Sequence, residues 1–202
     1  MDKEIKVYVK RGDEIEIDRN LAMRFLRVKS EPEKAVMDVF DQCCDELKKE
    51  ITYKSSYRYF DIKIENNKVF FDDEMVLESS ALCKCLDGCV GAFVFVATAT
   101  LAVDRLIFKY SKLQVAKSCI INALGSSAVE CFCDDLCNHF EKDYNLNLRP
   151  RYSPGYGDLD LLCQKDVLNV CRATTLSGVT LTKSNLMIPR KSVSAIVGVK
   201  EK

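Results

Sequence analysis

The stretch Gly91–Thr100, GAFVFVATAT, constrains the fold more than any other part of the chain. It is β-branched, aromatic and nearly continuous in its apolar character. A strand with one wet face would alternate, so this run needs cover on both faces. The prediction is a central, buried strand. The wider apolar run Cys89–Val103 has only fifteen residues, interrupted by Thr98 and Thr100. That is short for a membrane span.

The flanking sequence supplies the rest of an α+β pattern. Residues 3–9 alternate polar and apolar, which predicts a strand with one wet face. Asp18 is placed to cap a short helix carrying Leu21, Phe25 and Val28. Pro32 suits the first turn of a helix running to about Ile51, with Val36, Val39, Phe40, Cys43, Cys44 and Leu47 on its inner side. Tyr57–Ile64 alternates again, and Lys68–Phe71 pairs with it across the turn at Asn66-Asn67. A short helix over Ser80–Leu86 ends at Gly88. After the buried strand come helices over Val103–Tyr110 and Leu113–Asp143. The longer one contains Gly125-Ser126-Ser127-Ala128, small residues that let another backbone or a ligand come close. Residues 145–164 form a loop rich in turn formers. Lys165–Ala173 follows as a short helix, then Val179–Thr182 and Ser192–Val199 as two final strands. No low-complexity linker divides the chain. The expectation is one α+β domain over residues 1–202, an antiparallel twisted sheet interrupted by long helices.

Charge and cysteine content narrow the function. Lys plus Arg and Asp plus Glu each number 30. No net field draws the chain to nucleic acid or an anionic membrane, so neither is an expected partner. Residues 1–20 are charged throughout and contain no apolar signal segment, so a cytoplasmic protein is expected. Eleven cysteines is an odd count, and in a reducing cell most serve as small buried hydrophobes. Cys83, Cys85 and Cys89 nevertheless share a C-x-C-x3-C spacing with Cys131, Cys133 and Cys137. Two such sets facing each other would suit zinc or an iron–sulfur cluster, although structural zinc pairs have two to four intervening residues. His139, the single histidine, is expected on the surface at a polar helix end. No G-x-S-x-G, P-loop or H-E-x-x-H pattern occurs, so hydrolase and nucleoside-triphosphate chemistries have no sequence basis.

Two segments carry a family resemblance. Arg149-Pro-Arg-Tyr-Ser-Pro-Gly-Tyr-Gly-Asp158 and Leu181-Thr-Lys-Ser-Asn-Leu-Met-Ile-Pro-Arg-Lys-Ser-Val-Ser194 stand in order and at family-like spacing. Together they resemble the Arg-x-x-x-Gly-Tyr loop, and the strand region beyond it, of the activation domain of cobalamin-dependent methionine synthase. The resemblance is clearest over residues 75–200, and here it takes the form of a stand-alone chain. It implies S-adenosylmethionine (AdoMet) binding and presentation of its methyl group to a cobalamin oxidised to the cob(II) state. One-electron reduction with methyl transfer then restores methylcobalamin. The expected partners are a cobalamin-binding methyltransferase and an electron-donor flavoprotein or ferredoxin. The D-x-H-x-x-G pattern is absent, so the cobalamin belongs on the partner.

By the same resemblance Arg151 meets the ligand carboxylate, and Glu130 on the long helix meets its ammonium. Pro154, Gly155 and Tyr156 form a turn against the ligand. The plainer alternatives are a surface arginine for Arg151, a solvated helix face for Glu130, Asp134 and Glu141, and a structural turn with a packed tyrosine. Asp158 and Asp160 either orient a ribose hydroxyl or cap a turn, capping being the commoner role. No residue is expected to act as a proton-transferring catalyst. The sequence departs from the family pattern after the loop (Gly157-Asp158-Leu159-Asp160), at Thr100, and around Val197, where the family has an aromatic contact. The departures bear on AdoMet affinity more than on fold. Two rival readings belong to other classes: an interaction module that keeps the fold without the ligand, and a metal or redox sensor built on the cysteine triplets.

Overall fold

The computed structural model describes residues 1–28 and 33–200. Strand β1 (Lys6–Arg11) opens the chain. Helix α1 (Arg19–Phe25) follows, its first turn capped by Asp18, whose carboxylate accepts from the Leu21 amide at 3.0 Å. Helix α2 is Lys34–Glu50; Pro32 lies outside the described residues. Strand β2 (Thr52–Glu65) turns at Asn66-Asn67, both at positive φ, into β3 (Lys68–Phe71), and β4 (Met75–Glu78) completes the meander. Helix α3 (Ser80–Cys85) leads to β5 (Gly91–Thr98). Helices α4 (Thr100–Tyr110) and α5 (Val115–Tyr144) form an antiparallel pair, and β6 (Asn147–Leu148) is a two-residue edge. Beyond the loop come α6 (Gln164–Val170), α7 (Ala173–Leu176), the small hairpin β7 (Thr180–Leu181) and β8 (Met187–Ile188), and β9 (Ser192–Lys200).

One antiparallel sheet runs β4-β3-β2-β5-β9-β6, and β1 pairs with the N-terminal half of β2. The sheet is therefore antiparallel and the class mixed α+β, as the sequence pattern indicates. Strand β5 is buried at every residue and lies between β2 and β9. Its side chains divide between two cores. Phe93, Phe95 and Ala97 enter the core beneath α1, α2, α4 and α5, with Ala195, Val197 and Val199 of β9. Ala92, Val94 and Val96 enter the opposite core, with Leu82 of α3 and Val167 and Leu168 of α6. Phe93 stacks on Phe140 of α5, ring centroids 4.1 Å apart, and so fixes the long helix on the sheet.

Several details differ from the periodicity. On β1 the wet face is the valine face: Val7 and Val9 are exposed while Tyr8 packs on the core. Tyr8 stacks on His139 at 4.6 Å and donates to Asp135 at 2.8 Å, while the ammonium groups of Lys6 and Lys10 lie over the Tyr144 and Tyr8 rings. Amphipathic side chains thus cover the core where the valines do not. Phe25 and Val28 are exposed as well. His139 is half-buried between Tyr8 and Asp143 instead of standing on the surface. The short pieces β4, β6 and β8 have no periodicity to mark them. The small residues of α5 serve packing. A Cβ on Gly125 would come within 2.4 Å of Val103 Cγ1, so α4 fills that space, and Ser127 donates to the Asp18 carbonyl at 2.7 Å. Among the described residues no helix is long and apolar enough to cross a membrane.

Candidate functional site

The loop after β6 is tied to the outer edge of β9. Arg149 donates its amide to the Gly198 carbonyl at 2.8 Å, and Tyr152 exchanges amide–carbonyl bonds with Ile196 at 2.9 and 2.8 Å. The loop therefore runs parallel to one face of α5 and leaves a cleft of about 530 Å³ between them. Glu130, Asp134, Cys137 and Glu141 line one wall. Their spacing of four, three and four residues places them along one helical stripe. Arg149, Arg151, Ser153 and Tyr156 line the other wall, and Val193 of β9 also lines the cleft.

Arg151 and Glu130 meet across this cleft. Arg151 Nη2 donates to Glu130 Oε2 at 2.8 Å, and Nη1 donates to Asp134. The arginine side chain is 22% exposed, Glu130 37% and Asp134 67%. A guanidinium keeps its charge under all ordinary conditions, so the cleft always presents one fixed cation beside two carboxylates. Cys137 stands beside this pair, its thiol pushed upward in pKa by burial. One helical turn toward the N-terminus the stripe continues with Ser126 and Asn122, which each accept from Lys191 Nζ at 2.8 Å. Burial lowers the pKa of that lysine.

The turn at Pro154-Gly155-Tyr156 forms the rim. Gly155 has φ +89°, and its amide donates to the Leu159 carbonyl at 2.9 Å, closing a tight loop that a side chain at this φ would strain. Gly157 has φ +54°, and a Cβ there would come within 2.5 Å of the Tyr152 hydroxyl. Pro154 is buried beneath the turn and does not line the cleft. Tyr156 is 60% exposed at the mouth, edge-on to Tyr152 at 6.1 Å. Of the residues singled out in the sequence, Arg151, Glu130 and Tyr156 come together on the cleft, while Pro154 and Gly155 shape its rim.

Asp158 does other work. Its carboxylate accepts from the Ser80 and Ala81 amides at 2.8 and 3.1 Å and from the Ser79 and Ser80 hydroxyls, and these bonds, Ser79's foremost, hold it well below the usual carboxylate range. Asp158 thus pins the far end of the loop to the start of α3. Asp160 caps the short turn Leu161–Cys163 through the Leu162 amide at 2.9 Å. Neither side chain lines the cleft.

The cysteine triplets do not assemble. Cys133 is buried in the core under α5, Cys137 is in the cleft wall, and Cys85 lies on the other side of the loop with its thiol 3.9 Å from the Pro150 carbonyl. Among the described residues no group of three or more His, Cys, Asp or Glu side chains is placed to hold a metal ion. All eleven cysteines are free; Cys43, Cys44, Cys133 and Cys171 are buried and Cys119 is exposed. Val197 is fully buried, so the residue that β9 offers to the cleft is Val193. Asp134, Cys137 and Val193 were not singled out from sequence as ligand contacts. The α5 spacing marks the first two as neighbours of Glu130, and strand alternation alone says nothing of Val193.

No family model matches the sequence, and no curated protein matches it. Among solved structures, the chain is similar to a crystal structure of the MetH reactivation domain bound to AdoHcy, with a TM-score of 0.78. The two sequences are 14% identical over an alignment covering 97% of this chain and 78% of that one. At that identity the likeness establishes a shared fold.

Proposed function

We propose that the cleft binds AdoMet, and that the chain uses it to reactivate a cobalamin-dependent methionine synthase or a related corrinoid methyltransferase in trans. The observation that carries the reading is the Arg151–Glu130 pair facing across an open cleft. The amino-acid end of AdoMet is a zwitterion. Its carboxylate fits the planar fork of Arg151, and its ammonium fits Glu130. Inserting a zwitterion between Arg151 and Glu130 gives each of the two a new partner of opposite charge. Tyr156 at the mouth offers a ring face to the adenine or the sulfonium. The fold shared with a domain captured with AdoHcy supports the same ligand class.

The chemistry supplied by AdoMet is a methyl group leaving sulfur for cobalt, with one electron entering from a flavoprotein or ferredoxin and AdoHcy departing. The residues of this chain bind and orient. Arg151 and Glu130 fix the amino-acid end, the 154–157 turn sets the rim, and no side chain is required to move a proton. The cleft opens beside exposed Tyr156, so the corrinoid of a separate protein reaches the methyl from that side.

The test is methylcobalamin formation from a cob(II)alamin-loaded methyltransferase of the same organism, given AdoMet and a reductant, with and without this protein. A rate increase dependent on this chain and lost in Arg151→Ala is expected. No increase with any such partner would sink the reading and leave a ligand-free interaction module on the corrinoid protein as the better account.

A further inference from the structure

We infer that Asp134 is an internal competitor for Arg151, holding the place that the ligand's carboxylate takes. The inference rests on the AdoMet reading and adds a built-in brake to it. Arg151 gives one terminal nitrogen to each of two carboxylates on successive turns of α5, Nη2 to Glu130 and Nη1 to Asp134. An arriving carboxylate binds a guanidinium best through two parallel N–H donors. It therefore has to displace at least one of these partners.

The two differ in what release costs. Glu130 is 37% exposed and Asp134 67% exposed, so Asp134 keeps more of its hydration while paired and returns to water most easily. Glu130, set deeper, remains to receive the ligand's ammonium. Two acidic residues four positions apart on one helix face thus act in opposite directions. Glu130 supports binding and Asp134 opposes it. A nonspecific attraction of both carboxylates for a cationic ligand would give them the same sign.

The experiment compares wild type, Asp134→Asn, Asp134→Ala and Glu130→Gln by calorimetric titration with AdoHcy. Thermal melts confirm that each is folded, and the exposure of Asp134 makes its variants safe on that count. NMR of the Arg151 guanidinium, in protein without added ligand, reports whether its terminal nitrogens rotate freely. Hindered rotation is expected in wild type and faster rotation in both Asp134 variants. Those variants should bind AdoHcy about two- to fivefold more tightly, the range that loss of an exposed ion pair spans, and Glu130→Gln should bind more weakly. If wild type binds AdoHcy and the Asp134 variants bind equally or less well, or if Arg151 rotates freely in wild type, the competitor is overturned while the AdoMet reading stands. If none of the four binds AdoHcy, the AdoMet reading fails and takes the inference with it.

Discussion

The two ends of the 149–160 loop carry charged residues, Arg151 and Asp158, that differ in what holds them. Asp158 is satisfied by backbone amides and hydroxyls at the start of α3, partners that no ligand replaces without unravelling the turn. Arg151 is satisfied by two carboxylates on the wall of a cleft, at least one of them largely exposed. A charge bound to backbone anchors the fold. A charge bound to removable side chains beside open space is available for exchange. The same loop is thus structural at one end and, in the proposed reading, ligand-binding at the other, and β9 holds it in place through Arg149 and Tyr152.

The largest expected effect breaks the platform under the cleft. Phe140→Ala removes the ring stacked on Phe93, and denaturant unfolding should show a loss of about 3–5 kcal/mol. A loss under about 1 kcal/mol would mean that α5 is held by something other than this core. Next is Arg151→Ala, which removes a charge-assisted fork worth roughly 1.5–3 kcal/mol to a bound carboxylate. AdoHcy affinity should fall about tenfold or more by that arithmetic, with a smaller change in melting temperature than Phe140→Ala causes.

Asp158→Ala should show the reverse signature: a melting temperature lowered by a few degrees and little change in affinity per folded molecule. Its pH dependence fixes the cause. The folded pKa of Asp158 is depressed, so its contribution is full above the ordinary carboxylate range and is lost as pH falls through the lowered value. The gap between variant and wild type should therefore be constant at neutral pH and close only in strong acid; a gap that closes above the ordinary carboxylate range would contradict the assignment. The smallest effect is expected for Tyr156→Ala. Exposed at the mouth, it should alter stability by less than about 0.5 kcal/mol and weaken AdoHcy binding less than Arg151→Ala does. A larger affinity loss at Tyr156 would move the main ligand contact from the ion pair to the ring.

Much of this organisation was legible in the sequence wherever a single local cause decides. The buried β5, the Asn66-Asn67 hairpin and the Asp18 cap follow from composition, turn chemistry and a side-chain oxygen in the right place. The candidate site was legible in part. Arg151, Glu130 and Tyr156 came from the family resemblance, and the structure brings them to one cleft. Less visible were features set by tertiary context. The inverted face of β1 depends on Tyr8 reaching His139, and the half-burial of His139 depends on the same contact. Val193 and Val197 share one face of β9 and one core layer, but Val197 sits deep in that core while Val193, near the start of the strand, is only partly buried and reaches the cleft. The second carboxylate on Arg151 was in view as a helix spacing, but its partner is seventeen residues away and only the fold joins them.

The most direct measurement is a calorimetric titration of the intact chain with AdoHcy, run beside Arg151→Ala. Saturable one-site binding in the upper-micromolar range or weaker is expected for wild type, in keeping with a cleft to which β9 contributes the aliphatic Val193 and no aromatic ring. The variant should bind at least about tenfold more weakly. An absence of saturable binding, or superimposable isotherms for the two proteins, would contradict the assignment of Arg151 as the carboxylate anchor.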